Sequence, residues 1–403
     1  MRVILPIASP RSAAHLRRND LPTWKRAVSG IAGLALLAAI WLALRERHAS
    51  VPATKVDRQP PVVASAPLAN ASEPTPRARL VTVEAHLRGA GRDLCSLVDD
   101  PVVSGASGVG DGDVARRGAL ERSPAFKAFE GGVLRIDGAL RGSSDPYARA
   151  VGIWLNIPRN AQDDGAVTEA ERRRQLAAMA TATSDPRIYA LAFRTCHGST
   201  DDGCHALSVR RWAELDPGNA VPWTFLLDEA AARGDVSGQQ EAWFHMAAAK
   251  RFEDREFAQL QPIVESSDDS AGGLMAADGL SIMAIGIGAA WPWPAAPWDQ
   301  CRAAAHVDSN RAQLCEKFAD VMFEHSDSLV GRAFGAALTK RMAGDASRSA
   351  TVGAEMKLWA DEWSQSKEPS CDTLKSQLSL LLRAVAVGPP AAARELAAAS
   401  AAR

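Results

Sequence analysis

The sequence predicts an all-α protein: an N-terminal single transmembrane helix followed by an α-hairpin array, an α-α superhelix. Three observations carry this. Alanine dominates while tyrosine and phenylalanine number only 2 and 10, a bias toward helix and away from sheet. Hardly any stretch alternates polar and apolar residues with period two, the mark of a half-buried strand. Asp-Pro precedes an alanine-rich apolar run three times, at Asp145, Asp185 and Asp216. The 47% hydrophobic and 23% charged content is that of a globular chain. A net charge of −1 gives no general attraction to nucleic acid, which leaves that partner class unsupported.

Residues 1–26 form a basic tail, with Arg2, Arg11, Arg17, Arg18, Lys25 and Arg26 against one acid, Asp20. Residues 27–44, "AVSGIAGLALLAAIWLAL", hold 18 positions without a charge, at the lower end of what spans a bilayer. Arg45, Arg47, Lys55 and Arg58 follow, so the bias places the N-terminus inside and the remainder outside the cytoplasm. A cleaved signal peptide is the rival reading. Its apolar core is normally shorter and ends in small residues, whereas "RERH" follows here. The expected location is therefore a bacterial inner membrane, with a periplasmic C-terminal domain and the bilayer as partner through 27–44. Residues 45–79 are rich in Pro and Ala and read as an extended, semi-rigid spacer.

From 80 to 388 the pattern predicts a helical domain. Helices are expected over 80–99, 123–130, 145–156, 168–182, 186–196, 204–214, 219–233, 237–250, 254–265, 271–290, 299–324, 327–342, 347–365 and 371–387, with an Ala-rich tail at 389–403. "SGASGVGDGD" (104–113) reads as a loop. At each Asp-Pro, the acid suits a helix N-cap and the proline the first helical position. The three acids lie 40 and 31 residues apart, the size of a helix–turn–helix unit. They are expected to be repeat punctuation and not a catalytic set.

Around the third Asp-Pro, Pro217, Asn219, Trp223, Leu226 and Gly234, with Ala242 and Met246 after them, resemble a tetratricopeptide repeat. Trp223 and Leu226 match its W-x-x-L opening, Gly234 falls in the interhelix turn, and Ala242 and Met246 echo its A-x-x-x-F. Leu227 and Ala230 stand where the family has glycine and tyrosine. The repeat-like section is 185–252, of which only 215–252 is a clear unit. The whole layout also resembles membrane-anchored Gram-negative proteins carrying an "LDPxNAxxW…GD" signature and later cysteine pairs, for which no activity is established. The tetratricopeptide resemblance implies a concave surface that binds an envelope protein or peptide.

Six cysteines, in an oxidising compartment, predict disulfides. Cys196 and Cys204 flank the turn of a helical hairpin, Cys301 and Cys315 flank another turn, and Cys95 and Cys371 remain. Fifteen pairings are possible in principle. Cys196, His197, Cys204 and His205 offer a zinc alternative, but their spacing matches no common zinc pattern, and His306 reads as a surface residue. "GLSIMAIGIGAAWPWPAAPW" (279–298) is uncharged, yet Pro292, Pro294 and Pro297 would break a span, so a buried helix followed by a turn is expected. Trp291, Trp293 and Trp298 then form a core plug in preference to a binding lip.

Catalytic signatures fail. The glycine loop lacks the Lys-Ser/Thr of a phosphate loop, and no nucleophile elbow or zinc helix occurs. In "FEHSDS", His325, Asp327 and Ser328 are adjacent only in sequence, and Ser326 or Asp327 reads as a helix cap. "EAERRRQ" (169–175) reads as a solvated helix face. No catalytic, cofactor-binding or metal residue is expected, and no cofactor. The function expected is a membrane-anchored scaffold or peptide-binding module; the competing class is an envelope hydrolase with dispersed residues.

Overall fold

A computed structural model describes residues 95, 121–157, 167–255, 257–268, 270–289, 293–304, 308–364 and 371–401. The expected basic tail, membrane span, spacer and glycine loop, with Trp291 and His306, lie outside these residues, as does the 80–99 helix except for Cys95. Among the described residues no helix is long and apolar enough to cross a membrane. The described chain is all-α, and no strand is present among these residues.

Fifteen α-helices follow in order among the described residues. They are α1 (Pro124–Gly142), α2 (Pro146–Leu155), α3 (Glu169–Thr181), α4 (Pro186–Cys196), α5 (Val209–Leu215), α6 (Ala220–Ala232), α7 (Val236–Ala248) and α8 (Leu260–Glu265). After these come α9 (Ala271–Ala289), α10 (Ala296–Ala304), α11 (Ser309–His325), α12 (Leu329–Ala343), α13 (Ser347–Ser364), α14 (Cys371–Val387) and α15 (Pro389–Ala401).

Side-chain caps set most starts. Asp145 and Asp185 each accept a bond from the backbone N–H two residues on, with proline at the next position, as the Asp-Pro rule requires. Thr168, Ser208, Asn219, Asp235, Asp308 and Ser328 cap α3, α5, α6, α7, α11 and α12. Helix α12 thus takes its cap from Ser328, just beyond the expected Ser326 or Asp327. Gly344, at φ 72, closes α12 in the left-handed conformation that glycine adopts without a side-chain clash.

Four boundaries differ from expectation for physical reasons. The helix expected over 123–130 runs on through Gly131 and Gly132 to Gly142. Gly132 is a crossing point: a methyl group on it or on Gly272 of α9 would collide with the facing backbone carbonyl. The 299–324 helix is two helices, because Asp308 caps a new start by accepting from the Arg311 N–H. Of the 254–265 helix only α8 forms, preceded by a non-helical strap, 251–255. The Ala-rich tail is not a tail up to residue 401: it folds as α15 and packs on α13 and α14, burying Ala392 and Ala393.

Sequential neighbours pair throughout: α1 with α2, α3 with α4, α6 with α7, α11 with α12, and α12 with α13. A pure solenoid would stop there, each unit touching only its neighbours. This chain also folds back, since α1 packs along α9, α7 along α11, and α8 against α1, α2 and α14. One continuous apolar core results, with Trp212, Trp243, Tyr189 and Phe252 at most 2% exposed.

Candidate functional site

Where the α5–α6 turn, the 251–255 strap and the α11–α12 turn meet, charged residues enter the core. The strap is held on both sides by backbone pairing. On one side Ala220 N–H donates to the Arg251 carbonyl at 3.0 Å, and on the other Phe252 N–H donates to the His325 carbonyl at 2.9 Å. Asn219 fastens the same edge with its side chain: Oδ1 accepts from Glu253 N–H at 3.0 Å and Nδ2 donates to the Glu253 carbonyl at 2.9 Å.

Asp216 sits at the centre, 1% exposed. It does not cap α6 as its Asp-Pro context predicts. Its own N–H closes α5 onto the Trp212 carbonyl, and Asn219, three residues later, caps α6 through Val221 N–H. The freed carboxylate faces two guanidiniums, Arg251 and Arg255, the latter at 3.0 Å, and accepts from Asn219 Nδ2 at 3.0 Å. Glu253 bridges the same two arginines at 3.2 and 3.1 Å. Burial works against the Arg255 charge, but Asp216 and Glu253 outweigh it and raise its pKa further. Arg255 holds a left-handed backbone, φ 58, a conformation that a non-glycine residue keeps only when its surroundings enforce it.

A second acid closes the cluster. Asp327 accepts the Asp254 N–H on one oxygen and the Arg255 N–H on the other, each at 3.0 Å. Ser328 Oγ donates to Asp254 Oδ2 at 2.8 Å while accepting from Gly331 N–H. Burial pushes the Asp327 pKa well up, and the neighbouring Asp254 and Glu253 carboxylates add to it, against the two backbone N–H groups. Arg194 of α4 donates to the Asp254 carbonyl at 2.6 Å. At the opposite end of α4, the N-cap Asp185 binds Arg187, whose guanidinium lies 4.6 Å over the Tyr147 ring. Burial raises the Tyr147 pKa despite Arg187 and Arg255 nearby.

The strap also ends an aromatic stack. Trp293 lies parallel to Phe252 at 5.3 Å, Phe334 packs on Trp293 at 5.6 Å and on Trp298 at 6.2 Å, and Arg341 caps Trp298 at 5.5 Å. Trp293 and Trp298 are half-buried, so together they plug the core with one edge open at Phe334.

Three cysteine pairs stand at disulfide distance: Cys196–Cys204, Cys301–Cys315 and Cys95–Cys371, with Cα separations of 5.3, 5.7 and 4.8 Å. The first ties the end of α4 to a 3₁₀ turn over Asp202–Ala206, the second ties α10 to α11, and the third ties residue 95 to the start of α14. Bonded to each other, Cys196 and Cys204 leave no thiolate for the zinc alternative, and His197 packs its ring on Phe193 and Phe225. Among the described residues no group of three or more His, Cys, Asp and Glu side chains could hold a metal ion.

"FEHSDS" forms no triad. His325 is exposed and contributes its backbone carbonyl, whereas Asp327 and Ser328 point into the cluster. "EAERRRQ" is less solvated than expected, since Arg172 donates to the Trp154 carbonyl and Arg173 pairs with Asp201. Sequence reasoning singled out neither Arg251 nor Arg255 nor Asp254. Their partners lie 35 to 74 residues away, beyond any local period.

No family model, curated protein or solved structure matches the chain.

Proposed function

We propose that this protein is a single-pass inner-membrane scaffold whose periplasmic, tetratricopeptide-like helical domain binds an envelope protein or peptide. The observation that carries the reading is how the ionisable groups of the interior are engaged. Asp216, Glu253, Arg251 and Arg255 neutralise one another, and both Asp327 oxygens are filled by backbone N–H groups. A general acid or base must reach the proton it transfers. The two enclosed members, Asp216 and Arg255, are taken up by their neighbours, while Arg251 and Glu253 keep 37% and 32% of their side chains exposed. Successive helical hairpins of the kind in α3–α4 and α6–α7 are a common way to build extended binding surfaces. The uncharged 27–44 run and the Pro/Ala-rich spacer that follows suit an anchor that holds such a surface away from the bilayer.

The hydrolase reading has one observation in its favour. Asp327 lies beside the Asp254 carboxylate and its own pKa is raised, a pattern shared with acid–base sites. The backbone N–H groups that both Asp327 oxygens accept hold that carboxyl to the strap and argue against it.

Photo-crosslinking in cells tests the proposal. With a crosslinker at Phe244 or Val236, which are 64% and 66% exposed on α7, the full-length chain is expected to give a discrete adduct with one envelope protein or peptide. Absence of a specific adduct from these and from other exposed positions, or a purified chain that hydrolyses envelope substrates, would overturn it.

A further inference from the structure

Arg311, in the first turn of α11, is half-buried. Its guanidinium lies 5.0 Å over the Trp243 ring of α7, and its Nη1 donates to Gln300 Oε1 of α10 at 2.8 Å. Gln300 Oε1 also accepts from Trp243 Nε1 at 2.7 Å, and Gln300 Nε2 donates to Gln239 Oε1 at 2.8 Å. Indole and guanidinium groups can only donate, so the network fixes which way both amides point.

What this network has left over is donors. Both lone pairs of Gln300 Oε1 are taken. Arg311 Nε and Nη2 meet no acceptor among the described residues, and neither does Gln239 Nε2. Nε and Nη2 make up the flat edge of the guanidinium, two parallel N–H groups at the spacing of carboxylate oxygens.

The acids around the network are engaged elsewhere. On α6, Asp228 accepts the Ala296 N–H. On α7, Asp235 accepts the Gly238 N–H and Glu241 pairs with Arg210. On α10, Asp299 pairs with Arg302, and Asp308 accepts the backbone N–H of Arg311 itself. Burial lowers the Arg311 pKa and the Asp308 charge offsets this only in part. Arg255 is enclosed more deeply, yet Asp216 and Glu253 outweigh its burial and raise its pKa. Arg311 is thus a partly desolvated cation without the acid that Arg255 has. One monoanion matches its charge. A phosphate dianion would bring a second charge toward exposed Asp299 and Asp308.

We propose that Arg311 is the centre of a carboxylate-binding site, whose free guanidinium edge takes both oxygens while Gln300, held by Gln239 and Trp243, keeps that edge in place. Gln300 and Arg311 lie beyond the repeat-like 185–252 section, so the site does not depend on that resemblance. Val236, one turn before Gln239 on α7, is 66% exposed and sets apolar surface beside the charge. That the carboxylate belongs to an envelope protein or peptide rests on the scaffold reading; the site itself does not.

Titration of the full-length chain, followed at the Arg311 Nε–H by proton–nitrogen NMR and assigned through its own backbone, tests the site. N-acetylglycine offers a chain-terminal carboxylate and N-acetylglutamic acid α-amide a side-chain one, with N-acetylglutamine amide as the neutral control. The Arg311 signal is expected to shift saturably with a carboxylate probe, and the tighter probe identifies the source. Inorganic phosphate at about pH 8, where it is a dianion, should bind about tenfold more weakly or worse, and the neutral control should give no shift. No saturable shift with either carboxylate, or an equal response to phosphate or to the control, would overturn the proposal. The crosslinker at Val236 then ties the site to a partner. Arg311→Gln should cut the adduct about tenfold or more, and Arg311→Lys, which keeps the charge without the fork, should restore only part of it. An undiminished adduct in folded Arg311→Gln would overturn the link to the partner and leave the scaffold reading standing. No adduct from the unmodified chain would overturn the scaffold reading instead. In that case, or if Arg311→Gln does not fold, the titration of the unmodified chain decides the site.

Discussion

At the start of α4, Asp185 accepts the Arg187 N–H, proline follows it, and the helix begins where the dipeptide says it should. At the α5–α6 turn Asp216 is also followed by proline, yet its carboxylate turns inward to Arg251 and Arg255, and Asn219 does the capping. The two acids share their local sequence and differ in what lies across from them. Asp185 remains partly open to solvent, where a cap is the best bond on offer. Asp216 lies under the 251–255 strap, where two guanidiniums offer a charge-assisted bond, roughly twice as strong as a neutral one. A local rule therefore governs the edge of this molecule, and long-range charge pairing governs its middle.

The largest test of that division is the longest staple. Cys95 and Cys371 enclose 276 residues, and the chain-entropy model gives about 4.7 kcal/mol for a loop of even 100. Cys95→Ser with Cys371→Ser should lower the unfolding free energy by at least that order in denaturant titrations. Cys196→Ser with Cys204→Ser, across 8 residues, should cost roughly half as much on the same model. Equal effects would show that the long pair constrains nothing.

Next comes the buried pair of Arg332 and Glu355, whose side chains are 6% and 5% exposed. It joins α12 to α13, and Arg332 also donates to the Phe323 carbonyl at 2.8 Å. Glu355→Ala orphans a buried charge and should destabilise the chain by about 3–5 kcal/mol, read by thermal or denaturant unfolding. Asp185→Ala removes a cap and a partly exposed pair with Arg187 and should cost about 1–2 kcal/mol. The smallest effect is acid sensitivity at Asp185. Burial raises its pKa but the Arg187 bonds outweigh this, leaving it lowered. Its contribution is present above the ordinary carboxylate pKa and is lost as pH falls through the lowered value. The stability gap between the native chain and Asp185→Ala should therefore close on acidification.

How legible all this is in the sequence follows the same division. The helical class and most hairpins rest on local signals such as Asp145, Asp185 and the W-x-x-L at Trp223, because caps and apolar spacing act within a few residues. The helix expected over 254–265 loses its start because the strap is held by Asn219 and Asp327, which lie far away in sequence. The helix expected over 123–130 continues through Gly131 and Gly132 although glycine weakens a helix, and the facing Gly272 shows why a glycine is needed at 132. For the charge cluster the sequence offers three unremarkable arginine and aspartate positions. What selects them is burial, which no residue pattern states.

The account's central claim is that the buried cluster is an internal clamp and not a reactive or ligand-binding site. Denaturant unfolding of the full-length chain with Asp216→Ala, with Arg255→Ala and with both changes tests it most directly. A clamp predicts that each single change costs about 3 kcal/mol or more. The double change should then cost less than the two singles summed, since each substitution removes a pairing that the other has already lost, while Arg251 and Glu253 still partner the survivor of each single change. Partner capture should fall only as the folded fraction falls. Single variants within about 0.5 kcal/mol of the unmodified chain that nonetheless abolish capture, or an enzymatic activity, would contradict the claim.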